Sequence, residues 1–371
     1  MKLTKILLAV FCVGLVVVLV MARRSNTQEI VRGDIGGKLD EHMKMLASGG
    51  FSGVVLFTRS GETLLSKGYG EANQAKRLPY SVNTVFDIGS LTKQFTGAAI
   101  LKLETQGKLR VTDRLKQYLA GAPPDKADIT LHHLLTHSAG FAPGLGDDYE
   151  AINRDEYTKL ALSSKLRFTP GERFSYSNAG YSLLGIIIEL VTGQPYEHYL
   201  HDQLFKPAGM SKTGYRIPKW NPNELATGYS KDGSAWGTPL DKLWAADGPY
   251  WHLRANGGIL STVGDMYKWH LALAGEQVLS RTAKEKYFAP HIAMQPQGKS
   301  FYGYGWAIEK SPIGANVIAH NGSNGIFYAT FFHDVDEKMV LIMASNKASH
   351  SVRGEIDKLR QLIYASLRRS H

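Results

Sequence analysis

Apolar runs of strand character stand at both ends of this chain, and helical periodicity fills the middle. Phe51–Thr58 and Thr63–Tyr69 are two such runs split by Arg59-Ser60-Gly61-Glu62, a hairpin signal. After about residue 300 the period returns to two. Tyr302–Glu309, Asn316–Ala319, Ile326–His333 and Met339–Ser345 read as successive strands, with Asp334–Lys338 as one turn. Between the two sets the pattern is helical. Leu91–Leu103 ends at Gly107, Thr130 caps Leu131–Thr136, and Tyr181–Val191 ends at Gly193 with Pro195 beyond. Gly36–Ala47 and Val352–Leu367 read as one further helix at each end. The economical solution is a mixed α/β (α+β) chain. One sheet is built from both chain ends and flanked by helices, and a mainly helical domain is inserted between them. Its length of 371 residues suits such a two-part plan. The expected divisions are 25–90 with 298–371 for the sheet and 91–297 for the insertion. Within the insertion, residues 206–256 are rich in Gly, Pro, Asn and Trp and read as long loops of the kind that build sites.

The N-terminus carries a separate message. Met1–Lys5 is short and positive, and Ile6–Ala22 bears no charge. Residues 1–24 therefore read as a signal peptide or a membrane anchor. Either reading exports 25–371 to a bacterial periplasm or cell envelope, tied to the membrane through 6–22 if the segment stays uncleaved. The single cysteine, Cys12, lies inside this run, so neither an intramolecular disulfide nor a cysteine zinc site is open to the chain. The net charge of +10 is not gathered into a basic run with interleaved aromatics, which argues against a nucleic-acid partner. Apolar residues at 43% and charged residues at 20% exclude a disordered chain.

Three short constellations can carry chemistry. Ser90-Leu91-Thr92-Lys93 opens a helix, and three-residue spacing puts the lysine on the serine's face one turn later. A buried amine there can take a serine proton. The plain alternative is an N-cap serine beside a solvated lysine. Tyr176-Ser177-Asn178 follows a Pro-Gly turn. In an extended segment Tyr176 and Asn178 point one way and Ser177 the other. Alone it reads equally as a loop tyrosine with a capping asparagine. His320-Asn321-Gly322 closes the Asn316–Ala319 strand. Alone it reads best as a strand-end histidine before an Asn-Gly turn. With Gly322 letting substrate approach, the Ser323 amide can serve as one oxyanion donor and the Ser90 amide as the other.

The order of the three, Ser-x-x-Lys, Tyr-x-Asn and His-x-Gly, resembles the serine β-lactamase and penicillin-binding superfamily. In detail it is similar to the class C β-lactamase-like branch, which holds D-alanyl-D-alanine carboxypeptidases, D-aminopeptidases and esterases. Phe86–Lys93, His133–Ser138, Pro170–Gly185 and Asn256–Thr262 are family-like phrases, and the resemblance spans about 51–367. It implies a β-lactamase/transpeptidase-like fold and an acyl-enzyme on Ser90. Lys93 and Tyr176 share the proton transfers, undivided by sequence. Asn178 positions the acyl side chain. His320 stands where a lysine is usual and binds a carboxylate or assists proton transfer. Such an enzyme loses activity below neutral pH as Lys93 or Tyr176 takes up a proton.

No cofactor is implied. The implied partner is a small-molecule or peptide substrate. Peptides with D-amino acids, including peptidoglycan-derived ones, are preferred over esters, with a weak β-lactamase and a non-catalytic envelope module behind. Lys212-Thr213-Gly214 looks like the usual third motif but lies in a loop and is read as a decoy. His132, His133 and His137 are read as structural, not as metal ligands. Trp220, Trp236, Trp244, Tyr250 and Trp251 could line an apolar acyl pocket, with loop packing the favoured alternative.

Overall fold

A computed structural model describes residues 29–347 and 350–368. The segment 1–24, expected to be a signal peptide or anchor, lies outside the described residues. Among the described residues no helix is long and apolar enough to cross a membrane.

The centre is a nine-stranded antiparallel sheet. Its strands in chain order are β1 (Ile30–Val31), β2 (Gly53–Arg59), β3 (Glu62–Tyr69), β4 (Ile292–Ala293), β5 (Phe301–Tyr302), β6 (Ala307–Lys310), β7 (Asn316–Ser323), β8 (Tyr328–Asp334) and β9 (Met339–Ser345). They lie in the order β1-β3-β2-β9-β8-β7-β6-β5-β4. The two chain ends meet where β9 pairs with β2, from Met339 opposite Arg59 to Ser345 opposite Gly53. This is the single sheet from both ends that the pattern required.

Its central strands are covered on both faces, so they read as nearly continuous apolar runs. On β9, Val340, Ile342 and Ala344 face the helical side, while Met339, Leu341 and Met343 face the other. That other face is closed by α1 (Gly33–Ser48) through Leu39 and Met43, and by α6 (His350–Arg368) through Ile356, Leu359 and Ile363. The helical side packs on α2 (Thr92–Thr105), α3 (Leu131–Leu135), α4 (Asn178–Thr192) and α5 (Val263–Ala274). The ends follow the expected chemistry. Thr130 Oγ1 accepts the His133 amide at α3, and Gly193 closes α4 at φ 68. The segment 206–256 forms long loops with two short ribbons, Gly228–Tyr229 with Ala235–Gly237 and Trp244–Ala245 with Gly248–Pro249, and a 3-10 turn at Pro239–Asp241.

Two differences from the expected strand bounds bear on the site. The run Tyr302–Glu309 is broken after Tyr302, because Gly305 (φ 93) brings its backbone against Lys93. A Cβ there would stand 2.7 Å from the Lys93 carbonyl oxygen. In the other direction, β7 does not stop at Ala319. It pairs with β8 through Ser323, so His320-Asn321-Gly322 is strand and not turn. On its other side β7 pairs with β6 only as far as Ala319. The edge from His320 to Ser323 is therefore open.

Candidate active site

Ser90 sits in a tight 3-10 turn, Gly89–Leu91, that leads into α2. Lys93 follows one turn on and is fully buried. Its Nζ lies 3.1 Å from Ser90 Oγ, 2.9 Å from Asn178 Oδ1 and 2.7 Å from the Asn256 carbonyl oxygen. The last two partners can only accept. A neutral amine has two N–H groups for them and one lone pair left, and that lone pair faces the serine hydroxyl. Burial pulls the Lys93 pKa well below 10.5, against a smaller opposing pull from Asp148. Local structure thus presents an amine ready to take the Ser90 proton.

Tyr176 and Asn178 reach the same point from the start of α4. Ser177 between them turns away. Its hydroxyl donates to the Ala142 carbonyl, and it is Ser177, not Asn178, that caps the helix. The Tyr176 ring centroid lies 4.8 Å from Lys93 Nζ, and its phenol feels the Ser90 side chain. Burial raises the phenol pKa above its usual value, with the Ser90 contact pulling the other way. A phenol in that setting stays protonated at neutral pH, so the electrostatics favour Lys93 as the proton acceptor.

His320 and Gly322 project from β7 on the Ser90 side. Gly322 is required by contact, since a Cβ on it would stand 1.9 Å from the Ile88 carbonyl oxygen and 2.9 Å from the Ser90 amide. The His320 ring is spoken for at both nitrogens. Nδ1 lies 2.7 Å from the Asn321 carbonyl oxygen and Nε2 lies 2.9 Å from the Tyr302 hydroxyl. The carbonyl fixes the proton on Nδ1, so Tyr302 donates to Nε2. Burial, helped by Lys93, holds the His320 pKa down at about 3. The imidazole is neutral, which removes the charge that carboxylate binding, expected from the resemblance, would draw on. The Ser323 amide lies beside the nucleophile turn, 2.6 Å from where a Cβ on Gly89 would be.

A cavity of about 630 Å³ opens over Ser90, Tyr176 and His320 and runs past the open β7 edge toward Phe332 and Arg360. Its apolar lining includes Met294, Tyr302, Tyr328 and Phe332. The tryptophans of 206–256 do not line it. Trp244 packs on Tyr215, Trp251 lies under Arg254, and Trp236 packs on Tyr149 and Phe327. Lys212-Thr213-Gly214 is held elsewhere, with the Lys212 amide donating to Asp265 and Thr213 bonded to Ser261. His132 pairs with the Tyr304 hydroxyl, and His133 completes the α3 cap. His137 accepts the Ser177 amide and lies against the Tyr176 ring, 4.2 Å between centroids.

Sequence reasoning missed three contributors. Asn256 acts through its backbone carbonyl, which no side-chain motif reveals. Tyr302 and His137 are placed by packing on His320 and Tyr176. The only signal for Asn256 was its place in the Asn256–Thr262 phrase.

Residues 37–365 match the family model described as Beta-lactamase. Penicillin-binding protein 4* of Bacillus subtilis (strain 168) is 28% identical over 311 residues, covering 80% of this chain and 68% of that one. Penicillin-binding protein PbpX of the same organism is 30% identical over 335 residues, covering 87% and 80%. The octameric penicillin-binding protein homologue from Pyrococcus abyssi superposes with a TM-score of 0.74 at 30% identity, covering 85% of this chain and 74% of that one.

Proposed function

The chain belongs to the beta-lactamase family of serine hydrolases, and from that premise we propose that it is an exported enzyme of the cell envelope. It cleaves peptide or amide bonds in peptides carrying D-amino acids, through an acyl-enzyme on Ser90. The observation that carries this reading is the buried Lys93 amine, 3.1 Å from Ser90 Oγ with its other partners fixed as acceptors.

In this account Lys93 takes the Ser90 proton as Oγ adds to the substrate carbonyl. The oxyanion that forms is held by the amides of Ser90 and Ser323. When the carbonyl re-forms, the C–N bond breaks, and the leaving amine receives a proton from the Tyr176 hydroxyl, which Lys93 replenishes. Water then attacks the ester. Its proton passes to Lys93 and its oxygen to the released acid, and Ser90 regains its hydrogen. Asn178 positions the acyl side chain, and His320 acts as a neutral hydrogen-bonding wall with Tyr302. Peptide substrate is supported by the open β7 edge, where an extended chain can add as a further strand. It is also supported by a cavity of about 630 Å³ along that strand.

A second reading, carboxylesterase, is favoured by the neutral His320. A site without a charge at this wall also suits an uncharged ester. The test sets an N-acyl-D-alanyl-D-alanine, its amide, an aryl ester and a chromogenic cephalosporin against the protein and Ser90→Ala. Release of D-alanine or its amide supports the peptidase reading. Ester hydrolysis alone supports the second, and cephalosporin turnover as the fastest reaction makes it a β-lactamase. No difference between wild type and Ser90→Ala on any of them leaves the non-catalytic module.

A further inference from the structure

Asp87 stands three residues before Ser90, with only 2% of its surface exposed. One carboxylate oxygen accepts the Gly89 amide at 2.7 Å. The other accepts Asn324 Nδ2 at 2.9 Å. Asn324 follows Ser323 directly, and its own Oδ1 is committed to the amides of Ile326 (3.0 Å) and Phe327 (2.7 Å). Asp87 therefore ties the turn that presents Ser90 to the turn that begins at Ser323. These turns carry the two amides assigned above to the oxyanion.

The tie is tight and uses Asp87 only as an acceptor. Gly89 and Gly322 allow the two backbones to touch, since a Cβ on either would overlap the other segment. Both partners of Asp87 are N–H donors, so an acceptor-only group satisfies both at once. An ion pair is no part of the arrangement, because among the described residues no salt bridge to Asp87 is present. Burial raises its carboxyl to about 7, so the site holds this carboxylate at a cost in stability. What it supplies in return is geometry.

We propose that Asp87 is a positioning residue that sets the separation of the Ser90 and Ser323 amides through its bond to Asn324. It does not touch substrate. The inference rests on the oxyanion reading under Proposed function.

The test uses the full chain at pH 8. It measures the rate at which a fluorophosphonate labels Ser90, the kcat and KM on the best substrate, and the melting temperature. Asp87→Asn turns an N–H₂ toward the Asn324 N–H₂. Labelling and kcat should each fall by about 10- to 100-fold, with KM within about threefold. The exchange Asp87→Asn with Asn324→Asp restores a donor facing an acceptor, and the carboxylate it places at position 324 can still accept the Ile326 and Phe327 amides. It should recover the rate to within about fivefold of wild type, which a merely structural role for Asp87 does not predict. If Asp87→Asn fails to fold, Asn324→Ala cuts the same tie from the half-buried turn and should slow labelling about tenfold. Wild-type labelling in a folded Asp87→Asn or Asn324→Ala protein overturns the inference alone, as does an exchange no faster than Asp87→Asn. A wild-type chain that does not label at Ser90 overturns the nucleophile reading and this inference with it.

Discussion

Lys93 Nζ stands 3.1 Å from Ser90 Oγ and is anchored from behind by Asn178 Oδ1 and the Asn256 carbonyl. A residue required as a neutral amine gives a definite sign of pH dependence. Burial lowers the Lys93 pKa, so the active form dominates above that lowered value and is lost as pH falls through it. kcat/KM should fall on the acid side, and Lys93→Arg should lose about 10²- to 10⁴-fold at every pH, because a guanidinium does not deprotonate. A flat profile from pH 5 to 9 contradicts this assignment.

Tyr176→Phe keeps the ring against Lys93 and His137 and removes only the hydroxyl at Ser90. Turnover should fall by about 10- to 10³-fold with little change in melting temperature. Because burial raises the phenol pKa, tyrosinate should not be the working form, and the ultraviolet difference spectrum between wild type and Tyr176→Phe should show none at pH 8.

Gly322→Ala places a methyl 1.9 Å from the Ile88 carbonyl oxygen, on the backbone that carries Ser90. The cost should be about 1–3 kcal/mol of stability, read by thermal denaturation, together with at least about tenfold slower labelling of Ser90. A neutral outcome would mean that the two backbones are not in contact.

His270 on α5 and His333 on β8 face each other with ring centroids 4.6 Å apart. Burial holds both at about 4, below the 6.5 of a free histidine, and His333 adds to the depression of His270. Between pH 6.5 and about 4 the unfolded chain binds protons that the folded pair refuses. Stability from this pair is therefore complete above 6.5, falls as pH drops through that window, and is fully lost below about 4. Each ring contributes up to roughly 3 kcal/mol to that loss. His270→Phe should reduce the fall in melting temperature between pH 7.5 and 4.5 by about 2–5 °C.

The sequence carried the large plan well, because burial on both faces writes long apolar runs and helix ends write Thr, Gly and Pro. It also carried the residues that the fold gathers around Ser90. From three distant segments, Ser90, Tyr176, His320 and Gly322 line one cavity, and Lys93 bonds Ser90 and Asn178 beside it. Local signals failed where a distant contact overrode them. Asn321-Gly322 has the composition of a turn, yet it stays extended because Gly322 must lie flat against Ile88. Gly305 bends a strand because it must clear Lys93. The tryptophans of the long loops pack among Tyr215, Arg254 and Phe327 instead of facing the cavity. Asn256 and Asp87 work through a backbone carbonyl and a tie between segments far apart in the chain, and their places in the Asn256–Thr262 and Phe86–Lys93 phrases do not reveal those contacts.

The most direct test of the central claim is to react the full chain with a fluorophosphonate and locate the adduct by peptide mass. An activated nucleophile predicts a single adduct on Ser90 that is absent in Lys93→Ala. No adduct on the folded protein, or labelling of Lys93→Ala at the wild-type rate, would contradict it.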